Sequence, residues 1–329
     1  MESIHFKNKL EYHENMPLTL NSSPLQGITD FRFRNTFNQF FGGIDRYYAP
    51  YIRLHGKQEI RSGYERDILP QNNSVAELVP QVMTKDADEF LYVAKYVQKM
   101  GYKELNWNLG CPYPMVTKKS LGAGLIQNVE KISEILTKVQ AESSIEVSIK
   151  TRLGNENKED ILLLLPILEK YPIKNIIIHP RVGKQLYKGE VDLPAFKECL
   201  NNTSHTVIYN GDITSVAKFN ELQTQFPSIE HWMIGRGLIA DPFLPSMIKN
   251  NTLTYPANRM EVLSKFHDML FQSYDETLSG PNHILLKMLG FWEFFAESFD
   301  NPHKALKRIK KAKSPTAYNV AVRENFNTL

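Results

Sequence analysis

Residues 104–128 read ELNWNLGCPYPMVTKKSLGAGLIQN. A short apolar run, 105–109, is cut off by Gly110, and one of the two cysteines of the chain, Cys111, follows at once against Pro112. The segment then carries Lys118 and Lys119 to a Gly122-Ala123-Gly124 turn, and helical sequence resumes near Asn128. A strand that ends in an exposed thiol on a tight, basic loop is the simplest reading. Such a loop suits a place where a reactive group meets a polyanion.

Outward from this stretch the same pattern repeats. Runs rich in Val and Ile predict strands at 17–20, 44–49, 75–83, 105–109, 145–149, 173–178, 206–209 and 231–234, with helical spacing between them. Asp30 is placed to cap a helix carrying Phe31, Phe33, Phe37 and Phe40, and segment 86–100 puts Phe90, Val93, Ala94 and Val97 on one face. The later strands end in polar clusters: Lys150-Thr151-Arg152-Leu153-Gly154, His179-Pro180-Arg181, Asn210-Gly211-Asp212 and Gly235-Arg236-Gly237. A doubly wound sheet would concentrate such residues at one crevice. Their spread over successive strand ends predicts an α/β fold of the TIM (β/α)₈ barrel type, with the site at the carboxyl ends of the strands.

The chain has 329 residues, enough for a barrel of about 250 with a small addition. The barrel is assigned to 1–250. Beyond it TLTYPANRM, 252–260, reads as a linker, and helical spacing then dominates, so 251–329 is expected to form a small C-terminal all-helical domain with Phe291, Trp292, Phe294 and Phe295 in its core. Within it Lys304, Lys307, Arg308, Lys310, Lys311 and Lys313 form a basic run, which fits either a solvated helix face or a polyanion contact. The net charge of +3 neither demands nor excludes nucleic acid.

Other classes lack support. No run of about 18 apolar residues occurs and the N-terminus has no signal-peptide core, so no membrane partner and a cytoplasmic location are expected. Cys111 and Cys199 suggest free thiols, with Cys199 on the helical stretch LPAFKECL read as structural. There is no GxGxxG, no GxxxxGK[ST] and no His/Cys cluster of zinc-ligand spacing, which leaves a Rossmann site, a P-loop and a metal site unsupported. Glycines with Arg236 after the last strands fit a single cofactor phosphate, as in flavin mononucleotide (FMN), better than a dinucleotide.

The stretch NWNLGCPYPMVTKKSLGAGLI resembles the signature of the tRNA-dihydrouridine synthases, most closely the bacterial branch. SPLQGITDFRFR, VPQVM, VSIKTRLG, IIIHPRV, YNGDI and MIGRGLIADP are similar to further marks of that family and follow its order. The resemblance implies an FMN-dependent barrel with a helical RNA-binding domain that reduces a specific uridine of tRNA to 5,6-dihydrouridine. Hydride would pass from reduced FMN to carbon 6 and a proton from Cys111 to carbon 5, with NADPH as electron donor. A thiol of ordinary pKa, ~8.5, keeps its proton at neutral pH and suits that task.

The same resemblance implies individual roles. Pro24, Leu25 and Gln26 would contact the flavin from the first loop, Gln81 and Lys150 would face its ring or ribityl chain, and His179 would lie beside the ring. Asn210, Gly211, Asp212, Gly235 and Arg236 would hold the ribityl and phosphate end. Asn108 would approach the target base, Arg152 and Arg181 would serve flavin or RNA, and Lys118, Lys119, Lys287, Lys307, Lys310 and Lys311 would contact RNA. Leu25-Gln26 replaces the family's more frequent Met-Ala or Met-Glu, and Pro180 follows the histidine where glycine is common. A monomer is expected. A ribosomal RNA substrate, a small-molecule FMN oxidoreductase and a non-catalytic RNA-binding protein remain the alternative readings.

Overall fold

The structure is a computed structural model and describes residues 18–54, 59–278 and 280–327. Pro17, where the first strand was expected to start, lies outside the described residues. Nine parallel strands are present among them: β1 (Thr19–Ser22), β2 (Arg46–Tyr48), β3 (Leu78–Val79), β4 (Gln81–Val82), β5 (Glu104–Leu109), β6 (Glu146–Gly154), β7 (Ile173–Val182), β8 (Val207–Asn210) and β9 (His231–Ile234). They run in the order β3-β2-β1-β9-β8-β7-β6-β5-β4. β3 and β4 are the two halves of the strand expected at 75–83, divided at Pro80, which has no N–H to give to a ladder. β3 pairs with β2 and β4 with β5, so this one segment joins both edges of the sheet and closes a barrel.

Period-two alternation explains what lies inside and what lies outside. On β5, Leu105, Trp107 and Leu109 point to the surrounding helices, while Glu104, Asn106 and Asn108 point inward. Inside the barrel, Tyr48, Val79, Ile177, Ile208 and Met233 form a small apolar cluster of their own, separate from the large core between strands and helices. The parity that buries these residues carries Lys150, His179, Asn210 and Gly235 to the inner side at the upper ends of β6 to β9.

Two strands outrun their expected ends. β6 continues from 149 to Gly154 and β7 from 178 to Val182, with the ladder extended through Lys150↔Ile177, Arg152↔His179 and Gly154↔Val182. Polar inward residues interrupt the hydrophobic pattern there, although the backbone pairing persists. Lys150, Arg152, His179 and Arg181 therefore stand on strand rather than on loop.

From Arg259, at the end of the expected linker, helices span Arg259–Asp275, Pro281–Phe295, Pro302–Lys311 and Pro315–Phe326. The last two are capped by Asn301 and Ser314, whose side chains accept from the Lys304 and Ala317 amides. The first two dock on the barrel helix Phe31–Phe40, capped by Asp30 as expected, and on Phe41 just after it: Phe266 meets Phe33 and Phe41 at 6.2 and 4.9 Å, and Phe291 meets Phe33 at 6.5 Å between ring centres. Each fully buried Phe contributes about 1.5–3 kcal/mol, so this aromatic seam outweighs a partly exposed ion pair such as Lys287–Asp30. Phe291, Trp292 and Phe295 are buried as expected, but Phe294 is only partly buried and turns to the barrel mouth, because it lies off the face that its three neighbours share. No helix among the described residues is long and apolar enough to cross a membrane.

Candidate active site

The upper ends of the strands enclose a cavity of about 400 Å³. Pro24, Leu25, Gln26, Gln81, Asn108, Cys111, Lys150, Arg152, His179, Asn210, Gly211, Asp212, Gly235 and Arg236 all line it. The helical segment closes one side with Glu293, Phe294 and Glu297.

Cys111 sits at this mouth but is not the exposed thiol that its loop suggests: it is 7% exposed. The residues after it fold back as a short helix, Pro114–Thr117, and a 3₁₀ turn, Gly122–Leu125, which bring Val116 and Leu121 onto the sulfur side together with Met83 and Tyr51. The fold-back needs glycine at 122. Its φ is 54°, and a Cβ there would stand 2.6 Å from the Cys111 carbonyl oxygen, to which the Ala123 amide donates at 3.0 Å. Burial raises the Cys111 pKa, while the Tyr113 amide, the Tyr51 hydroxyl and Arg152 offset part of the rise. The thiol therefore holds its proton at neutral pH.

The rest of the mouth is cationic. Lys150 Nζ donates to Asn210 Oδ1 at 2.7 Å, and Asn210 Nδ2 donates to the Met233 carbonyl at 2.9 Å. Burial, helped by the charge of Arg152, lowers the Lys150 pKa to about 7. Burial and the neighbouring Arg152, Lys150 and Arg181 depress His179 well below its ordinary range, so the ring is neutral. Arg181 Nη1 donates to His179 Nε2 at 3.0 Å, which assigns the ring proton to Nδ1.

Asp212, in the left-handed region at φ 42°, ties the far wall together. It accepts from Arg181 and from Arg236 at 3.0 and 3.1 Å. Arg236 follows Gly235, which starts the short helix Arg236–Ala240 without a side-chain cap over its first amides. Gly237 keeps this turn close, since a Cβ there would meet the Ile213 carbonyl oxygen at 2.1 Å. Uncapped amides beside a guanidinium form an anion cradle.

The residues assigned to RNA separate into two groups. Arg152 and Arg181 are 2% and 1% exposed and are engaged inside the barrel: Arg152 donates to the Gly110 and Val182 carbonyls, and Arg181 to Asp212 and the Gly189 carbonyl. Asn108 holds the Cys111 loop through its own oxygen. Lys287 donates to the Gly27 carbonyl and to Asp30, pinning the helical segment to the first loop. Lys118 and Lys119 are exposed outside the rim beside exposed Tyr113 and Met115, and Lys307, Lys310 and Lys311 are exposed on helix Pro302–Lys311. Lys310 pairs with Glu293 of the cavity wall at 2.8 Å.

Two mouth residues carry no sequence signal. Tyr187 lies between the guanidinium groups of Arg152 and Arg236, 5.3 and 4.7 Å from its ring centre, with its ring stacked near His179. Tyr51 reaches Cys111 from another loop. Each stands outside any strand or helix, and only the closed barrel brings it to the site.

A parallel barrel whose mouth joins a proton-bearing thiol to a cationic cradle can hold an anionic cofactor beside a proton donor. Residues 21–312 match the family model "Dihydrouridine synthase (Dus)", and the chain belongs to that family of oxidoreductases. It is 24% identical over 280 residues to a probable tRNA-dihydrouridine synthase of Rickettsia conorii, covering 82% of each chain. It is 27% identical over 316 residues to a probable tRNA-dihydrouridine synthase of Rhodobacter capsulatus, covering 93% of this chain and 94% of the other. A solved 2-naphthoyl-CoA reductase complex shares the fold at a TM-score of 0.53 and 10% identity, over 71% of this chain and 50% of the other.

Proposed function

We propose that the protein reduces a uridine of tRNA to 5,6-dihydrouridine, with FMN held in the barrel mouth and NADPH as electron donor. The observation that carries this reading is that Cys111, a buried thiol that keeps its proton, lines the same cavity as Lys150, His179 and the Asp212–Arg236 cradle. The donor set fits the flavin: Arg236 and the Gly235 turn suit a phosphate, and neutral His179 and Lys150, whose protonation an anionic ligand favours, suit the ring. Bound flavin supplies the hydride for carbon 6 of the base. Cys111 Sγ gives its proton to carbon 5, and Asn108 and Tyr51 hold that sulfur and its loop in place. Phe294 and Tyr187 line the cavity and exclude water from it.

Lys150 gives the site a pH signature. With its pKa near 7 in the empty mouth, an anionic ligand raises that value and draws a proton on binding. Flavin affinity is therefore expected to fall as pH rises above 7, and to lose that dependence in Lys150→Met. Fluorescence titration of flavin between about pH 6 and 9 checks it.

A folded RNA has to surrender one nucleotide from its stack, and basic surface has to offset that cost. Lys118 and Lys119 on one side and Lys307, Lys310 and Lys311 on the other, with helix Pro302–Lys311 tied to the mouth by Lys310–Glu293, support that role. Replacing Lys307, Lys310 and Lys311 together with glutamine is expected to weaken tRNA binding and lower the salt slope by up to roughly one per lysine, with flavin content unchanged. An unchanged slope removes the clamp. The mouth is completed by this chain's own helices, which supports action as a monomer, and an RNA substrate supports a cytoplasmic setting. Incubation with FMN, NADPH or NADH, and either unmodified tRNA or ribosomal RNA fragments tests the reading. Product confined to ribosomal RNA, or none with NADPH, counts against it.

A further inference from the structure

A hydrogen-bonded ladder runs up the inside of the barrel from its floor to the Cys111 loop. Ser148 Oγ donates to Glu104 Oε1 at 2.6 Å, Asn106 Nδ2 to Ser148 Oγ at 2.8 Å, and Gln81 Nε2 to Asn106 Oδ1 at 2.8 Å. Asn108 Nδ2 then donates to Gln81 Oε1 at 2.8 Å, and Asn108 Oδ1 accepts from the backbone amides of Gly110 and Cys111 at 3.1 and 2.9 Å. Gln81, Asn106 and Ser148 are fully buried, so no water competes for these groups.

Each amide side chain could be turned either way, and within the ladder each orientation fixes the next. The two ends have no choice: the Gly110 and Cys111 amides only donate and so hold the Asn108 oxygen toward them, and the bottom rung is fixed by a charge. Glu104 is paired with Arg46 at 2.6 Å and Lys174 at 3.0 Å, which keep its carboxyl below the ordinary range despite burial. An ionised carboxylate only accepts, so Ser148 must donate downward, and every rung above must do the same. The polarity set at the bottom therefore agrees with the one the Gly110 and Cys111 amides require at the top, and every rung is satisfied.

We infer that Glu104, at the opposite end of the barrel from the reacting groups, is a positioning residue: its carboxylate is the acceptor end that lets every rung of this ladder match the donors of the Cys111 loop, and so it helps hold that loop. The inference deepens the reading of Cys111 as proton donor and rests on it. Glu104→Gln tests it, because a neutral amide facing Arg46 turns its oxygen to the arginine and its NH₂ to Ser148. Ser148 then loses its only acceptor below and can donate only upward to Asn106, which sets the lower rungs against the orientation that the Gly110 and Cys111 amides require and leaves a mismatched contact within the ladder.

The expected result is faster hydrogen exchange at Gly110 and Cys111 and faster iodoacetamide modification of Cys111, each by roughly tenfold, the loss of a hydrogen bond to a buried amide. Turnover is expected to fall with KM for tRNA unchanged. In the Asn108→Ala background Glu104→Gln is expected to add nothing further to either loop readout. Should Glu104→Gln not fold, Ser148→Ala cuts the same ladder while leaving Glu104 paired with Arg46 and Lys174, and the same loop changes are expected. Wild-type exchange and alkylation in a folded variant, or additivity with Asn108→Ala, overturns the inference. Both loop readouts are independent of turnover, so failure of the wild-type protein to form dihydrouridine would contradict the proposed function without deciding the ladder.

Discussion

Cys111→Ala is expected to retain flavin and fold and to lose dihydrouridine formation by about 10²- to 10⁴-fold, the span of a positioned general acid. The substitution isolates the proton because the loop is held by other groups. The Cys111 amide donates to Asn108, its carbonyl accepts from Ala123, and Met83, Val116 and Leu121 keep their packing. Alanine leaves only the space of a sulfur atom. Mass spectrometry of digested tRNA reads the loss, and flavin absorbance confirms loading. Full activity in a loaded Cys111→Ala protein would mean that another group delivers the proton. Tyr51, whose hydroxyl reaches the sulfur, is an alternative donor, which makes Tyr51→Phe the informative companion.

The second large effect is expected at Lys150. Methionine matches its length without the charge, and removing one electrostatic donor from a buried site costs about 10²–10³ in rate. Asn210 keeps its bond to the Met233 carbonyl and so stays oriented, which confines the damage to the ammonium group. Anaerobic stopped-flow reduction by NADPH is expected to slow, and the bound flavin's potential to fall, because the negative charge gained on reduction loses its partner. Arg152 does not substitute: its guanidinium is occupied by the Gly110 and Val182 carbonyls. A Lys150→Met protein with wild-type reduction rate and potential would remove Lys150 from the flavin's surroundings.

Much of this architecture is legible in the sequence because apolar runs and helical spacing alternate, and because polar clusters follow the runs. Strand lengths are not legible. Lys150, Arg152, His179 and Arg181 break the hydrophobic pattern and read as loop, yet they extend β6 and β7 with their side chains turned into the barrel. Pro80 hides the converse, one expected strand serving two neighbours as β3 and β4.

The burial of Cys111 is invisible for a different reason. It depends on Gly122 closing onto the Cys111 backbone eleven residues later, and a glycine in a loop discloses only permissiveness, not contact. Glu104, Asn106 and Ser148 look like the solvent face of alternating strands, whereas barrel closure makes that face the interior. Tyr51 and Tyr187 come from irregular segments with no pattern to single them out.

The most direct test is to supply the purified full chain with FMN, NADPH and unmodified tRNA and to map uridine reduction by mass spectrometry. The account predicts dihydrouridine at a defined position in the tRNA, formed only while the flavin is bound. Flavin bound and reduced in the mouth, with every uridine of the tRNA left intact, would contradict it.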